Sequence, residues 1–322
     1  MHVLVRGAGV AGLTLAHELV RAGVRVTVCD TRSGPAGSAS WLAGGMLAPW
    51  CERESAEEPV LTLGKSAADW WHEALPGHVV RNGTLVVAPA RDRAELDRFA
   101  ARTSGHEWLE GEAVAALEPD LAGRFRRGLF FPGEAHLDPR LALTALVERL
   151  RKAGVRFVCE MEVEADRIAD CTGMAAADLE LRGVRGEMLL LRTKEVRLAR
   201  PVRLLHPRIP VYIVPRADHH FMVGATMIES DDDGPISARS MMELLNASYS
   251  LHPAFAEAKI VETGAGVRPA YPDNLPRVKR TPKGISVNGF YRHGFLLSPA
   301  MAREAATLIL NECVEVFDEA HG

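Results

Sequence analysis

The chain opens on a change of hydrophobic period. Val3, Leu4 and Val5 form a continuous apolar run, the pattern of a short buried strand, and a glycine-rich turn follows. Leu13, Ala16, Leu19 and Val20 then recur on one helical face, and Gly23 stands where such a helix would be capped. "VRVTVCD" returns to strand and ends on Asp30. Later, "PRLALTALVERLRKAGVRFVCE" repeats helix then strand, and "RIADCTG" (Arg167–Gly173) reads as a strand ending in a small-residue turn. Near the end, "GISVNGFYRHGFLLSPAMAREAATLIL" gives a strand, a loop with Gly289 and Gly294, and a long apolar-faced helix. Pro299 sits in the early part of that helix, where a missing N–H costs least.

Between these stretches the pattern differs. "NGTLVVAP", a charged helix over Arg91–Ser104 and "GLFFPGEAHLDP" belong to another layer, and short strands predominate from Gly183 to Val261. The expectation is an α/β chain with a discontinuous, doubly wound (Rossmann-like) dinucleotide-binding domain over residues 1–78, 134–182 and 263–322. A second, mixed or antiparallel β-sheet substrate domain takes residues 79–133 and 183–262.

One segment fits neither period. "SASWLAGGMLAPW" (Ser38–Trp50) has no charge, two tryptophans, a Gly-Gly pair and a proline. A buried irregular backbone must find partners for its N–H and C=O groups. Either the segment folds back on the protein, or a ligand meets it.

Composition narrows the choice. The 322 residues suffice for two lobes. A net charge of −4 argues against the basic face that nucleic acid requires. No run of about 18 apolar residues exists, so no membrane span is expected. Arg6 interrupts the apolar opening, which the glycine pattern explains better than a leader does. Cys29, Cys51, Cys159, Cys171 and Cys313 are widely spaced with no C-x-x-C pair. They suggest neither a disulfide framework nor zinc, so a reducing cytoplasm is the default. Asp231–Asp233 reads as an exposed turn, and no metal site is expected. "CERESAEE" (Cys51–Glu58) reads as a solvated loop or helix start near an entrance.

Gly7, Gly9 and Gly12 fit G-x-G-x-x-G. One glycine makes the tight turn, one lets backbone approach a pyrophosphate, and one lets helix pack on sheet. The helix start offers free N–H groups and a positive dipole end. Asp30, at the end of the second strand, is placed to accept hydrogen bonds from an adenosine ribose. A second helix start follows Gly294. A dinucleotide carrying a flavin needs both ends, one at the pyrophosphate and one at the ring edge that becomes anionic on reduction.

With those residues in view, the chain resembles the glycine/D-amino-acid oxidase superfamily of FAD enzymes, and most of all the glycine oxidases of bacterial thiamine biosynthesis. "RGAGVAGLTLAHEL", "SWLAGGMLAPW", "DCTG", "RGVRGEMLLL", "YIVPR…FMVGATM", "GAGVRPAYPDNLPRV" and "FYRHGFLLSPA" carry the likeness, spread from Arg6 to Ala300. The resemblance implies FAD held non-covalently by Gly7, Gly9, Val10, Ala11, Gly12, Asp30, Thr31 and Arg32. Ser38, Ser40, Gly44, Gly45 and Met46 would wrap the pyrophosphate and flavin ring, joined by Thr172, Gly173, Arg268, Arg292, His293, Gly294, Phe295 and Leu296. Val163 stands for the adenine contact, in a segment shorter than the family's.

The resemblance also implies the chemistry. Glycine, or another small amino acid, would be oxidised to its imine and hydrolysed to glyoxylate and ammonia, with O2 giving H2O2. The imine would feed thiamine thiazole formation through a thiazole synthase. Sarcosine or D-amino acids, a dehydrogenase passing electrons to a membrane quinone, and a non-catalytic flavin carrier are the alternatives, and a homo-oligomer is open. A substrate carboxylate calls for a guanidinium fork. Arg268, expected in a Gly/Pro-flanked turn, is the family's carboxylate anchor. Tyr212 is its partner donor, Met46 limits bulk over the substrate Cα, and Arg292 reaches the amine side or the flavin. Pro210 stands where the family often has a polar residue.

Overall fold

A computed structural model describes residues 1–159, 163–206 and 210–319, with side chains to residue 311. The first strand β1 (His2–Arg6) leads through the glycine turn into α1 (Val10–Arg21) and β2 (Arg25–Cys29). A 3-10 turn (Ala39–Leu42) precedes β3 (Met46–Leu47), α2 (Pro49–Glu52), α3 (Glu58–Gly64), α4 (Ala67–Ala74) and β4 (Val79–Val80). Next come β5 (Thr84–Val87), α5 (Arg93–Arg102), β6 (Glu107–Glu110), α6 (Gly111–Leu117), β7 (Arg127–Phe131) and β8 (Ala135–Leu137). The chain returns through α7 (Pro139–Lys152), β9 (Arg156–Val158) and β10 (Arg167–Asp170). Then follow β11 (Arg182–Arg192), β12 (Val202–Leu204), β13 (Val211–Pro215), β14 (His220–Gly224), β15 (Ile228–Glu229) and α8 (Ala238–Leu251). It ends with β16 (Lys259–Ala270), β17 (Arg277–Thr281), β18 (Gly284–Asn288) and α9 (Gly294–Glu319).

A six-stranded sheet runs β17-β18-β10-β1-β2-β9, parallel from β18 to β9, with β17 antiparallel at one edge. The helices α1, α7 and α9 pack together over it. Their contact faces are the apolar stripes legible in the sequence: Leu13, Ala16 and Leu19 of α1, and Leu143, Leu146 and Leu150 of α7, are all fully buried. Asp138 caps α7 by accepting from the N–H groups of Arg140 and Leu141, and Pro139 takes its first position.

A mixed nine-stranded sheet takes β15, β11, β14, β13, β12, β5, β7 and β6, with β16 along β11. The small sheet β3-β8-β4 is separate from both. Two segments sit differently from the boundaries expected of the sequence. Residues 263–270, expected with the dinucleotide lobe, continue β16 in the nine-stranded sheet. Val79 and Val80, expected at the start of the substrate lobe, pair with β8 in the small sheet. In both places strand pairing with a distant segment decides the membership, and composition alone does not carry that pairing.

Candidate active site

The three glycines of the first turn divide their work. Gly7 has φ +101°, and a Cβ there would lie 2.4 Å from the Cys171 carbonyl oxygen. A Cβ on Gly12 would lie 1.9 Å from the carbonyl oxygen of Gly7. Gly9 has only the Ser40 Oγ, at 3.5 Å. Gly7 and Gly12 are therefore packing glycines, while Gly9 leaves the backbone approachable at the start of α1. The Val10 N–H donates to Ser40 Oγ at 3.1 Å, so the Ser38–Trp50 segment is tied to that helix end. Ala11 follows in the first turn, where backbone N–H groups lack helical partners.

Asp30 closes the cradle. One carboxylate oxygen accepts from the Ala8 N–H at 2.7 Å; the other accepts from the Arg32 N–H and Nε at 2.9 and 3.0 Å. Burial would push its pKa up, but these donors outweigh it and hold the carboxyl below its usual range. Thr31 is exposed. Thr172 turns its hydroxyl inward to Asp170 at 2.6 Å, and the Gly173 carbonyl accepts from Asn288 Nδ2 at 2.9 Å. Val163 is partly exposed in the connection from β9 to β10. Ser38 is buried and donates to the Pro35 carbonyl at 2.7 Å.

The irregular segment folds back on the protein and lines a cavity as well. Its Trp41 and Gly44 carbonyls accept from Arg140 Nε and Arg216 Nη2, and its Gly45 carbonyl accepts from the Leu137 N–H. Gly44 cannot carry a side chain, because a Cβ would lie 2.6 Å from the Tyr212 ring. Gly45 has φ +72° and would meet the Leu137 carbonyl oxygen at 2.2 Å.

The cavity beside this segment holds about 360 Å3 and is lined by Gly44, Gly45, Met46, Tyr212, Arg268, Arg292, His293, Gly294, Phe295 and Leu296, among others. A smaller one of about 80 Å3 shares several of these residues and reaches Val10 and Ser40 at the start of α1. The smaller recess thus borders both helix starts, that of α1 at Val10 and that of α9 at Gly294 and Phe295.

Arg268 lies in β16, opposite Val184 of β11, and not in the expected turn. Pro269 is tolerated because β16 has β11 as its sole strand neighbour among the described residues. The guanidinium donates to the Thr226 carbonyl at 3.1 Å and has no carboxylate partner among the described residues. Burial lowers its pKa. Tyr212, on β13, faces the same cavity, and burial raises its phenol. Met46 is partly exposed to the cavity. Arg292 spans the wall, donating to Ser55 Oγ at 2.6 Å and to Met227 Sδ at 3.2 Å. The His293 carbonyl accepts the Leu297 N–H at the start of α9; burial lowers its imidazole to about 4, so the ring is neutral near pH 7.

The site's acid lies outside the residues that sequence reasoning selects. "CERESAEE" reads as a solvated loop or a helix start near an entrance; Cys51 and Glu52 lie in α2, and Glu52 is turned inward and lines the cavity. Its carboxylate pairs with Arg203, lies 2.9 Å from Arg292 and 3.5 Å from His293 Nδ1. Burial opposes the charge, but the Arg292 and Arg203 guanidinium groups outweigh it and hold the carboxyl far below its usual range. The available signal is Pro49 followed by an acid three residues on, a helix start that turns Cys51 and Glu52 inward. Arg203, on β12, carries no sequence signal.

An open glycine at a helix start, a buried strand-end acid and a recess reaching a second helix start fit a flavin dinucleotide. Among the described residues no cluster of His, Cys, Asp or Glu suits a metal. Fold and site together define a flavin-dependent oxidoreductase. The sequence profile of the FAD dependent oxidoreductase family matches residues 2–308, and the chain belongs to that family. It is 66% identical, over 97% of each chain, to the Rhizobium etli protein that carries the name thiamine biosynthesis oxidoreductase ThiO. It is 28% identical to the glycine oxidase of Pseudomonas aeruginosa, over 95% of this chain and 94% of that one. The crystal structure of glycine oxidase from Geobacillus kaustophilus superposes with a TM-score of 0.80 at 23% identity, covering 96% and 94%. No helix among the described residues is long and apolar enough to cross a membrane.

Proposed function

We propose that the protein oxidises glycine, or a comparably small amine, to its imine with O2 as electron acceptor, and that the imine serves thiazole formation in thiamine biosynthesis. In this reading the six-stranded sheet carries the dinucleotide and the nine-stranded sheet carries the substrate wall. Bound FAD supplies the two-electron acceptor. The amine gives up two electrons and two hydrogens, which O2 takes as H2O2, and free imine hydrolyses to glyoxylate and ammonia.

The observation that carries the proposal is Arg268: a guanidinium on the cavity wall whose one hydrogen-bond acceptor among the described residues is a main-chain carbonyl. A charged fork in such a place suits a carboxylate. Tyr212 adds a neutral hydroxyl donor beside it. Gly44, Gly45 and Met46 line the same cavity, and in this reading Met46 leaves room for hydrogen or a small side chain at the substrate Cα and penalises bulk. The start of α9 at Gly294 faces the cavity with free N–H groups. The likeness to a ThiO protein supports the placement in thiamine biosynthesis.

The test is anaerobic mixing of the flavin-loaded protein with glycine, sarcosine and D-alanine. Glycine should bleach the flavin, and air should restore it with stoichiometric H2O2. Arg268→Met should lower glycine kcat/KM by roughly 30-fold to several thousand-fold while retaining flavin. Bleaching by no small amine would overturn the proposal; bleaching without peroxide on aeration would overturn the oxidase part of it.

A further inference from the structure

Five arginines and three glutamates face the cavity: Arg98, Arg102, Arg203, Arg268 and Arg292 against Glu52, Glu54 and Glu95. Four of the arginines are already matched. Arg98 pairs with Glu95, Arg102 lies 3.6 Å from Glu54, and both Arg203 and Arg292 converge on Glu52. Of the five, Arg268 alone has no carboxylate partner among the described residues. We infer that Glu52 sets the charge specificity of the pocket: by engaging both Arg203 and Arg292 it leaves Arg268 as the one guanidinium without a carboxylate partner, so amino acids with a single carboxylate enter and those with a second acidic group are turned away.

This inference rests on the reading of Arg268 as carboxylate anchor. Its own ground is the geometry around Glu52. The side chain is 12% exposed and issues from a four-residue helix fixed at both ends. Pro49 takes the first helical position, and the buried Glu134 accepts the Cys51 N–H at 2.7 Å. Glu52 therefore stays in the wall. Arg203 comes from β12 and Arg292 from the loop before α9, so the acid is the group that joins them. Without it, two forks would face the same space, and paired forks form a strong receptor for a carboxylate. With it, a second substrate carboxylate would lie beside a like charge in a partly desolvated pocket, which is a repulsive element of specificity.

The experiment measures binding of acetate, malonate, succinate and glutarate to the flavin-loaded protein by titration calorimetry. For the natural chain, no diacid should bind more tightly than acetate. In Glu52→Gln, at least one diacid should improve relative to acetate by about tenfold or more, the scale of a hydrogen bond to a charged group. Glu52→Asp keeps the charge and should keep the natural preference. An unchanged diacid-to-acetate ratio in Glu52→Gln, or any diacid bound more tightly than acetate by the natural chain, overturns the inference. If Glu52→Gln does not fold, Glu52→Gln/Arg203→Met restores the charge balance, leaves Arg292 free and should show the same gain. Arg268→Met separates the two readings. Acetate binding unaffected by Arg268→Met removes the carboxylate anchor, whereas the diacid ratio of the Glu52 variants tests Glu52 alone.

Discussion

Gly186 and Arg268 share one volume: a Cβ on Gly186 would lie 2.0 Å from Nη2 of Arg268 and 2.2 Å from its Cζ. The two residues belong to paired strands, and Gly186 stands directly opposite Gly266. The guanidinium thus lies across β11 where another residue would place its side chain. Gly186→Ala should push it off its position without removing it. Glycine KM should rise about 10- to 100-fold, the range for a lost charge-assisted hydrogen bond. Steady-state kinetics with glycine provide the check, and an unchanged KM would mean that Arg268 does not use this seat.

The glycine turn makes a prediction that separates packing from binding. Gly12→Ala forces a Cβ to 1.9 Å from a backbone oxygen, so the apoprotein should lose about 1–3 kcal/mol or more. Gly9→Ala meets nothing closer than 3.5 Å and should leave apoprotein stability nearly unchanged while weakening FAD binding. Thermal unfolding without flavin, paired with flavin titration, distinguishes them. Equal losses of apoprotein stability would contradict the open approach at Gly9.

Much of the fold and the cofactor cradle is legible in the sequence because it is local. The βαβ unit announces itself by period and glycine spacing, and the Gly44-Gly45 segment by fitting neither period. What escapes depends on distant chain segments. Glu52 reads as one acid in a mixed charge run; only the meeting of α2, β12 and the loop before α9 makes it a buried counter-ion. Arg268 stands out in the sequence, but its local setting does not. "GAGVRPAYP" has turn composition, yet pairing along β11 overrides it, and the glycines make room for Leu42 instead: a Cβ on Gly264 would meet Leu42 Cδ2 at 2.8 Å, and one on Gly266 would meet Leu42 Cδ1 at 3.2 Å.

Asp30 offers a test of the cradle. Asp30→Asn keeps an oxygen for the Ala8 N–H but gives up the charge that binds Arg32. FAD affinity should fall about tenfold or more, as expected for hydrogen bonds to a charged acceptor. Substrate preference of the flavin-saturated variant should be unaltered, because Asp30 does not line the larger cavity. Wild-type FAD affinity in the titration would remove Asp30 from the binding site.

Glu134 predicts a pH dependence that runs opposite to that of most carboxylates. It is 1% exposed, and while one oxygen accepts the Cys51 N–H, the other is buried without a hydrogen-bond partner among the described residues. Burial pushes its pKa up from 4.5 to about 7. Between those values the folded chain holds a proton that the unfolded chain has released. Stability from this group is therefore complete below about pH 4.5 and falls as pH rises to about 7, by on the order of 3 kcal/mol in total. Glu134→Gln keeps an acceptor for Cys51 and cannot ionise. The variant should therefore gain on the natural protein steadily from pH 5 to 7, and hold that gain above. Denaturant unfolding of both proteins across pH 5–8 measures the difference. A constant difference would show that Glu134 ionises with an ordinary pKa.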